Sequence, residues 1–282
     1  IMAKRKDRSS TPAKAKLSST RLDMFCKCPE AFRRRYIEGE IIPPGVSMLK
    51  GTGVHRGAQV NFTQKLETHR DLPAKDIVDA AVAGFQAEQK AGVSFTAEEM
   101  ARGVANVVGE AIDEVAEMAS LHARQQAPDY QPVLIEKMVE IILPTVDLVG
   151  VVDLADDQDR VVDFKTAGKS KSQGDADSST QLTIYSALYK AETGRDAKEL
   201  RLDTIVRTKR DTKRQVLTTH RDVKDLTSLG YRIEVVQNAI EAGAFPPATP
   251  GAWWCAPKWC GYWKTCRYVN AERAAKANGG DE

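Results

Sequence analysis

The sequence predicts an α/β fold: a mixed β-sheet flanked by helices, with a helical insertion ahead of the sheet and a cysteine-bearing lobe at its C-terminal side. Three observations carry this. Apolar residues recur at helical spacing up to about residue 124, and three strand-length runs then follow within thirty positions. After them come one amphipathic helix and a further strand, so the central order is helix, three strands, helix, strand. The chain has 282 residues, 42% of them hydrophobic and 28% charged, which describes a globular protein with room for one sizeable core.

In chain order, Lys4 to Lys16 is a Lys, Arg, Ser and Thr tract with almost no apolar content, expected to be a disordered basic tail over 1–16. Ile1, ahead of Met2, is set aside as a processing remnant. Helices are expected at Arg21–Ile37, at Lys50–Leu66 with His55 upon it, and at Asp76–Lys90. Thr96 followed by Glu99 has the form of a capping box. Met100, Val104, Val108, Ile112 and Val115 then predict one long amphipathic helix to about Arg124.

Strands follow at Met138–Leu143, Leu148–Leu154 and Arg160–Thr166, a helix from Ser179 to about Ala191 stopped near Gly194, and a strand at Leu200–Arg207. A late helix spans Asp222–Ala242, and the Pro and Gly residues between Pro246 and Gly251 lead into the cysteine lobe. The expected organisation is a single domain over 17–268, with 75–127 as its helical part and 251–268 as a lobe closing onto Cys28. A flexible tail occupies 269–282.

The most informative stretch is GVVDLADDQDRVVDFK, from Gly150 to Lys165. Val151 and Val152 precede Asp153, Val161 and Val162 precede Asp163, and the polar residues Asp156 to Arg160 between them suit a hairpin turn. Alternation along a strand puts Asp163 and Lys165 on one face and turns Phe164 the other way. Neighbouring strands would then set Asp153 beside Asp163. Carboxylates that close repel unless a cation lies between them, and a hard divalent ion with oxygen ligands, Mg2+ or Mn2+, is the expected occupant. Such an ion can acidify a water and neutralise phosphoryl charge, while the Lys165 ammonium positions a nucleophile or stabilises the transition state. The alternative is a solvated strand end that happens to carry an acid and a base.

GTGVH at Gly51–His55 and QLTIY at Gln181–Tyr185 complete the constellation. Together with the two acids and the lysine, these residues resemble the RecB-type branch of the PD-(D/E)XK nuclease superfamily, over roughly Leu17 to Tyr268. That branch includes exonuclease V, CRISPR-adaptation nucleases and phage-encoded enzymes. The resemblance implies the restriction-endonuclease-like α-β-β-β-α-β core. It also implies His55, Asp153, Asp163 and the Phe164 carbonyl as ligands of Mg2+ or Mn2+, Lys165 as the catalytic lysine, and Gln181 and Tyr185 as its supporting pair. Glu136, opening the first strand, matches a less regular acidic position. The first acid is preceded by Val152 where the superfamily name has proline.

Five cysteines are present: Cys26, Cys28, Cys255, Cys260 and Cys266. An odd count, with no apolar run of signal or membrane length, points to a reducing compartment, the cytoplasm, or the host cytoplasm if the chain is phage-encoded. Metal binding is then a better reading than disulfides. The resemblance implies a 4Fe-4S cluster on Cys28, Cys255, Cys260 and Cys266, with Cys26 spare. Four residues separate Cys255 from Cys260 where the branch usually has two. Zinc on the same thiolates, or cysteines buried among Trp253, Trp254, Trp259 and Trp263, remain open alternatives.

A formal net charge of +2 does not by itself indicate nucleic acid. Arg207, Lys209, Arg210, Lys213 and Arg214 form a basic patch on an expected hairpin tip, which could hold DNA backbone or could be a solvated turn. His69, His122 and His220 lack recognisable partners and are expected to be satisfied or exposed histidines. The function expected is a metal-dependent DNA exonuclease in recombination, repair or phage DNA processing. Its substrate would be single-stranded DNA or duplex ends, with an unidentified recombination or replication protein as possible partner. The alternatives are a noncatalytic DNA-binding or assembly subunit with the same fold, and a metal-thiolate scaffold.

Overall fold

The computed structural model describes residues 15–269, so the tails expected at either end lie outside the described residues except at their inner edges. Ala15–Leu17 forms a strand, β1, so the last two residues of the stretch expected as a basic tail belong to the sheet. Leu17 is buried and Lys16 pairs with Glu140 at 2.9 Å. Helix α1 spans Ser19–Lys27 and is capped by Ser18, whose hydroxyl accepts from the Arg21 N–H.

The single helix expected over 21–37 is broken at Cys28, which is extended at φ −159° and ψ 96°. The cause is Pro29, whose ring disfavours helical backbone in the residue before it while suiting the first turn of a new helix. That helix, α2, covers Pro29–Phe32 and runs into a π turn at Arg33–Ile37.

Helices α3 (Val46–Thr68) and α4 (Ala74–Ala91) pack closely across Gly53 and Gly57. A Cβ on those glycines would stand 2.8 Å from the Ala81 carbonyl oxygen and 2.7 Å from that of Ile77. The Thr96–Glu99 capping box forms as expected, but it opens only a short helix, α5 (Ala97–Arg102). Gly103, at φ 88°, ends α5 and starts α6 (Val104–Leu121), because only glycine takes that backbone angle without strain. The break rotates the apolar stripe: Met100 is exposed, and Val107, Ala111, Val115 and Met118 are the buried line.

The strands are β2 (Pro132–Ile142), β3 (Val146–Asp156), β4 (Arg160–Ala167), β5 (Glu199–Arg207) and β6 (Thr212–Thr219). Helices α7 (Gln173–Asp177) and α8 (Thr180–Thr193) connect β4 to β5, and α9 (Val223–Glu241), capped by Asp222, follows β6. Strand β3 pairs antiparallel with β2 along most of its length. Its other edge meets β1 in parallel at Val146–Leu148 and β4 antiparallel at Leu154 and Ala155. Strand β5 then runs parallel to β4, and β6 antiparallel to β5. The result is a mixed sheet.

One face carries Leu148, Leu200 and Leu202 and packs on α1, α8 and α9. The other carries Leu154, Val162, Phe164 and Ile205 and packs on α3 and α6. A Cβ at Gly150 would lie 2.6 Å from a Leu188 methyl, so the bare backbone there lets α8 approach β3. No described helix is long and apolar enough to cross a membrane.

Beneath Phe164 lies a buried polar network. Asp203, fully buried, accepts from Tyr130 at 2.7 Å, Gln126 at 2.8 Å and Arg214 at 2.6 Å. Arg214 also reaches Asp129 at 2.8 Å and the Gln125 carbonyl at 2.6 Å. Gln126 in turn meets His122 Nδ1 at 2.9 Å.

A buried pair broken on one side leaves an uncompensated charge, at a cost of about 3–5 kcal/mol. Asp203→Ala should therefore destabilise the fold by about that amount, whereas Lys209→Ala or Arg210→Ala on the exposed tip should stay within about 0.5 kcal/mol in denaturant titrations. His122 has its pKa pushed down to about 4 by burial, against the help of Gln126. The unfolded chain then binds the extra proton first, so stability falls as the pH drops from 6.5 towards 4, by at most about 3 kcal/mol. His122→Leu should flatten that part of the melting temperature against pH curve.

Candidate active site

The site begins with three carboxylates set side by side on three neighbouring strands. The ladder joins Ile135 to Leu154 and Lys137 to Val152, which leaves Glu136 level with Asp153. The last pair between β3 and β4 is Leu154 with Val162, so the same register continued sets Asp153 level with Asp163. Past that pair the two strands part, and the Phe164 N–H, free of the ladder, donates to Asp153 Oδ2 at 3.1 Å. Glu136 itself sits at φ 45°, a left-handed angle rare in a strand and characteristic of functional positions.

Donors from the strand and from α8 then close a chain around the acids. Tyr185 donates to Asp153 Oδ1 at 2.7 Å, and Gln181 Nε2 donates to the Tyr185 hydroxyl at 2.7 Å. The Gln181 carbonyl oxygen accepts from Lys165 Nζ at 3.0 Å, and Lys165 donates to Asp163 Oδ1 at 2.6 Å. Helical spacing of four puts Gln181 and Tyr185 on one face of α8, so the helix meets the acid row along one line. Every sequence-predicted member of this group, Asp153, Asp163, Lys165, Gln181 and Tyr185, is brought together.

Burial governs the electrostatics. Asp163 is 1% exposed. Desolvation, with Asp153 adding to it and Lys165 opposing it, pushes its carboxyl up to about 7. Glu136 is likewise raised to about 7, by burial and then by the Asp153 charge. The Tyr185 phenol is pushed well above its ordinary range by burial and both aspartates, which fixes it as a donor. The acids are hard oxygen donors whose mutual repulsion a divalent cation would relieve, so the donor set fits Mg2+ or Mn2+.

His55 faces the same place from α3, its Nδ1 3.9 Å from Asp153 Oδ2. An open cleft of about 650 Å³ is lined by His55, Asp153, Lys165 and Glu136, with Thr52, Arg56 and Gln59 from one face of α3. Among the described residues no three carboxylate, imidazole or thiol groups stand at the spacing of a finished coordination shell. Protein donors instead engage the oxygens of Asp153 and Asp163. Sequence reading gave Glu136 only a minor place and missed Arg56 and Gln59. Their signal was present, since Thr52, His55, Arg56 and Gln59 follow the i, i+3, i+4, i+7 pattern of a single helical face.

The basic patch divides. Arg214 belongs to the buried Asp203 network and Arg207 pairs with Glu117 at 2.9 Å, so these two are structural and not free for phosphate. The acids come from a helix, from a turn and from the next strand, Glu117, Asp129 and Asp203, which sequence spacing alone did not reveal. Lys209, Arg210 and Lys213 are exposed. Lys213 pairs with Val206 two residues beyond Thr204, which is level with Lys165, so the tip stands at the site's end of the sheet.

A second cavity, of about 440 Å³, is lined by Cys28, Cys255, Cys260 and Cys266 together, with Arg34, Trp253 and Trp263. Cys26 is exposed and apart from that lining. The extended backbone at Cys28 turns its residue toward the lobe, which Arg34 holds through the Tyr262 carbonyl at 3.2 Å and the Thr265 hydroxyl at 2.6 Å. All five cysteines are free thiols. Burial, then the neighbouring thiols, push Cys255 up; at Cys260 burial and three neighbouring cysteines outweigh a backbone N–H that lowers it. Four soft donors thus line one pocket, while among the described residues no three of them stand at the spacing of a coordination shell.

A model of the PD-(D/E)XK nuclease superfamily matches residues 16–267. The crystal structure of a protein from Eubacterium rectale described as a "putative exonuclease" is similar with a TM-score of 0.53 and 10% identity, covering 99% of this chain and 100% of that one. That likeness is one of fold. The structure of SSO0001 aligns at a TM-score of 0.40 and 15% identity over 93% of this chain and 90% of that one, too distant to carry an argument. No curated protein matches the chain. With almost the whole described chain inside the superfamily model and the acids, lysine, glutamine and tyrosine joined in one site, the protein belongs to the PD-(D/E)XK nuclease superfamily.

Proposed function

We propose that this chain is a Mg2+- or Mn2+-dependent deoxyribonuclease of the RecB type, an exonuclease that works on DNA ends in recombination, repair or phage DNA processing. The observation that carries the reading is the hydrogen-bonded chain from Asp163 through Lys165, Gln181 and Tyr185 to Asp153. A lysine salt-bridged to a buried acid is common, but one also tied to a second carboxylate by two helix-borne donors is a positioned group. His55, Asp153, Asp163 and the Phe164 carbonyl would hold the cation, which when bound acidifies water and offsets charge on a phosphoryl oxygen.

The rest of the work falls to the chain's own side chains. Gln181 fixes the Lys165 ammonium by accepting one of its protons, leaving another for the attacking oxygen or the phosphate. Tyr185, held protonated, keeps Asp153 oriented by donating to one oxygen. Three cleft-wall groups, Thr52, Arg56 and Gln59, supply donors along the path a phosphate backbone would take. For the second cavity, the same proposal assigns a 4Fe-4S cluster to Cys28, Cys255, Cys260 and Cys266, joining the two ends of the domain.

Lys165→Ala should lower Mg2+-dependent cleavage of end-labelled DNA at least about a hundredfold, with circular dichroism showing the variant still folded at the assay temperature. Undiminished cleavage by that variant, or equal cleavage in EDTA, rejects the assignment. Linear and circular substrates compared in the same assay separate end-dependent from internal cutting. For the cysteine site, anaerobically purified protein should contain iron and acid-labile sulfide and absorb visible light, and Cys260→Ser should lose both. Colourless protein with stoichiometric zinc would replace the cluster by a zinc site.

A further inference from the structure

All four tryptophans of the chain lie between residues 253 and 263, in the C-terminal lobe. Trp254 is tied down by its N–H to the Lys27 carbonyl at 3.3 Å. Trp253 and Trp259 are not: they are 67% and 58% exposed, neighbours at 5.5 Å between ring centres with planes 87° apart. Large aromatic faces left open to water are costly and characteristically mark a binding surface. Around them the charge is one-sided. From Ala242 to Val269 the sequence holds no Asp or Glu, while Lys258, Lys264 and Arg267 are all exposed. Arg267 is engaged by Glu30, and Lys258 Nζ lies 5.3 Å from the Trp259 ring centre.

Exposed indoles beside exposed ammonium groups that have no carboxylate partner among the described residues complement a ligand that is aromatic and anionic at once, and an unpaired polynucleotide is such a ligand. A duplex is a poorer fit, because its base faces are already stacked on one another. The lobe is also fixed to the segment that leads into the cleft-lining helix. The Tyr262 hydroxyl donates to the Glu40 carbonyl at 2.7 Å, and Gly261 backs so closely onto Ile42 that a Cβ would be 2.8 Å from its side chain. Four residues after Ile42 begins α3, which lines the cleft from Ser47 to Gln59. Ile41 in this link and Met48 in the first turn of α3 are themselves 71% and 66% exposed.

We infer that single-stranded DNA reaches the cleft across this lobe, stacking bases on Trp253 and Trp259 while Lys258 and Lys264 meet its phosphates. The inference rests on the nuclease reading for its substrate, yet it concerns binding and is read out without cleavage. Because every tryptophan is in the lobe, tryptophan fluorescence excited selectively over tyrosine reports on the lobe alone. In EDTA, a short oligothymidylate should quench that fluorescence saturably, and a hairpin duplex of equal length should quench it far less. The Trp253→Ala/Trp259→Ala double variant should bind labelled oligothymidylate about tenfold or more weakly by anisotropy, with an unchanged melting temperature. Trp259→Phe, which keeps an aromatic face, should recover most of the affinity, and Lys258→Glu should weaken binding in a way that rising salt removes.

Equal quenching by duplex, or wild-type affinity in the folded double variant, overturns the inference. Binding with quenching but no cleavage in Mg2+ would instead sink the nuclease reading and leave the lobe's role standing.

Discussion

The interaction on which the rest of this structure depends is the enforced neighbourhood of Asp153 and Asp163. An isolated buried carboxylate is costly, and two of them costlier still. The fold sustains them by splitting β3 from β4 after one short ladder, giving the freed Phe164 N–H to Asp153, and bringing Lys165 and α8 to supply the remaining donors. The approach of α8 in turn brings a Leu188 methyl to within 2.6 Å of where a Cβ on Gly150 would stand. What looks like a local motif is therefore a compromise among strand pairing, helix packing and charge.

On the opposite face of the sheet, the same strands satisfy a different electrostatic problem by different means. Phe164, between Asp163 and Lys165 in sequence, points away from them into an aromatic cluster with Phe62, His122 and Tyr130. Behind it Asp203 gathers Tyr130, Gln126 and Arg214 into a network whose charges are matched internally. One face thus holds carboxylates short of cationic partners, suited to a metal ion, and the other holds a carboxylate whose needs are met. The difference between a functional and a structural acid lies in that balance of partners and not in depth of burial, since Asp163 and Asp203 are both fully enclosed.

The cysteine lobe is coupled to this arrangement through chain geometry. Pro29 breaks the first helix and leaves Cys28 extended, and Arg34, in the π turn that continues α2, clamps the lobe by Tyr262 and Thr265. The lobe then braces residues 40 to 42, immediately ahead of the helix that carries His55. Two segments far apart in sequence are in this way joined just ahead of the helix that lines the cleft.

Periodicity made the central order of elements legible in the sequence, and alternation sufficed to place Asp163 with Lys165 and Phe164 opposite, because strand and helix repeats are properties of the local backbone. The spacing of Gln181 and Tyr185 likewise announced a shared helical face. Boundaries set by single residues were less legible: the helices broken at Cys28 and Gly103 had continuous apolar patterns, and only a proline's steric effect and a positive φ interrupted them. The standing of Glu136, the division of the basic patch into paired and exposed members, and the convergence of four thiols on one cavity were decided by tertiary structure. Each depends on which distant groups stand opposite across strands or lobes, and pairing energies of that kind leave no trace in the local spacing of residues.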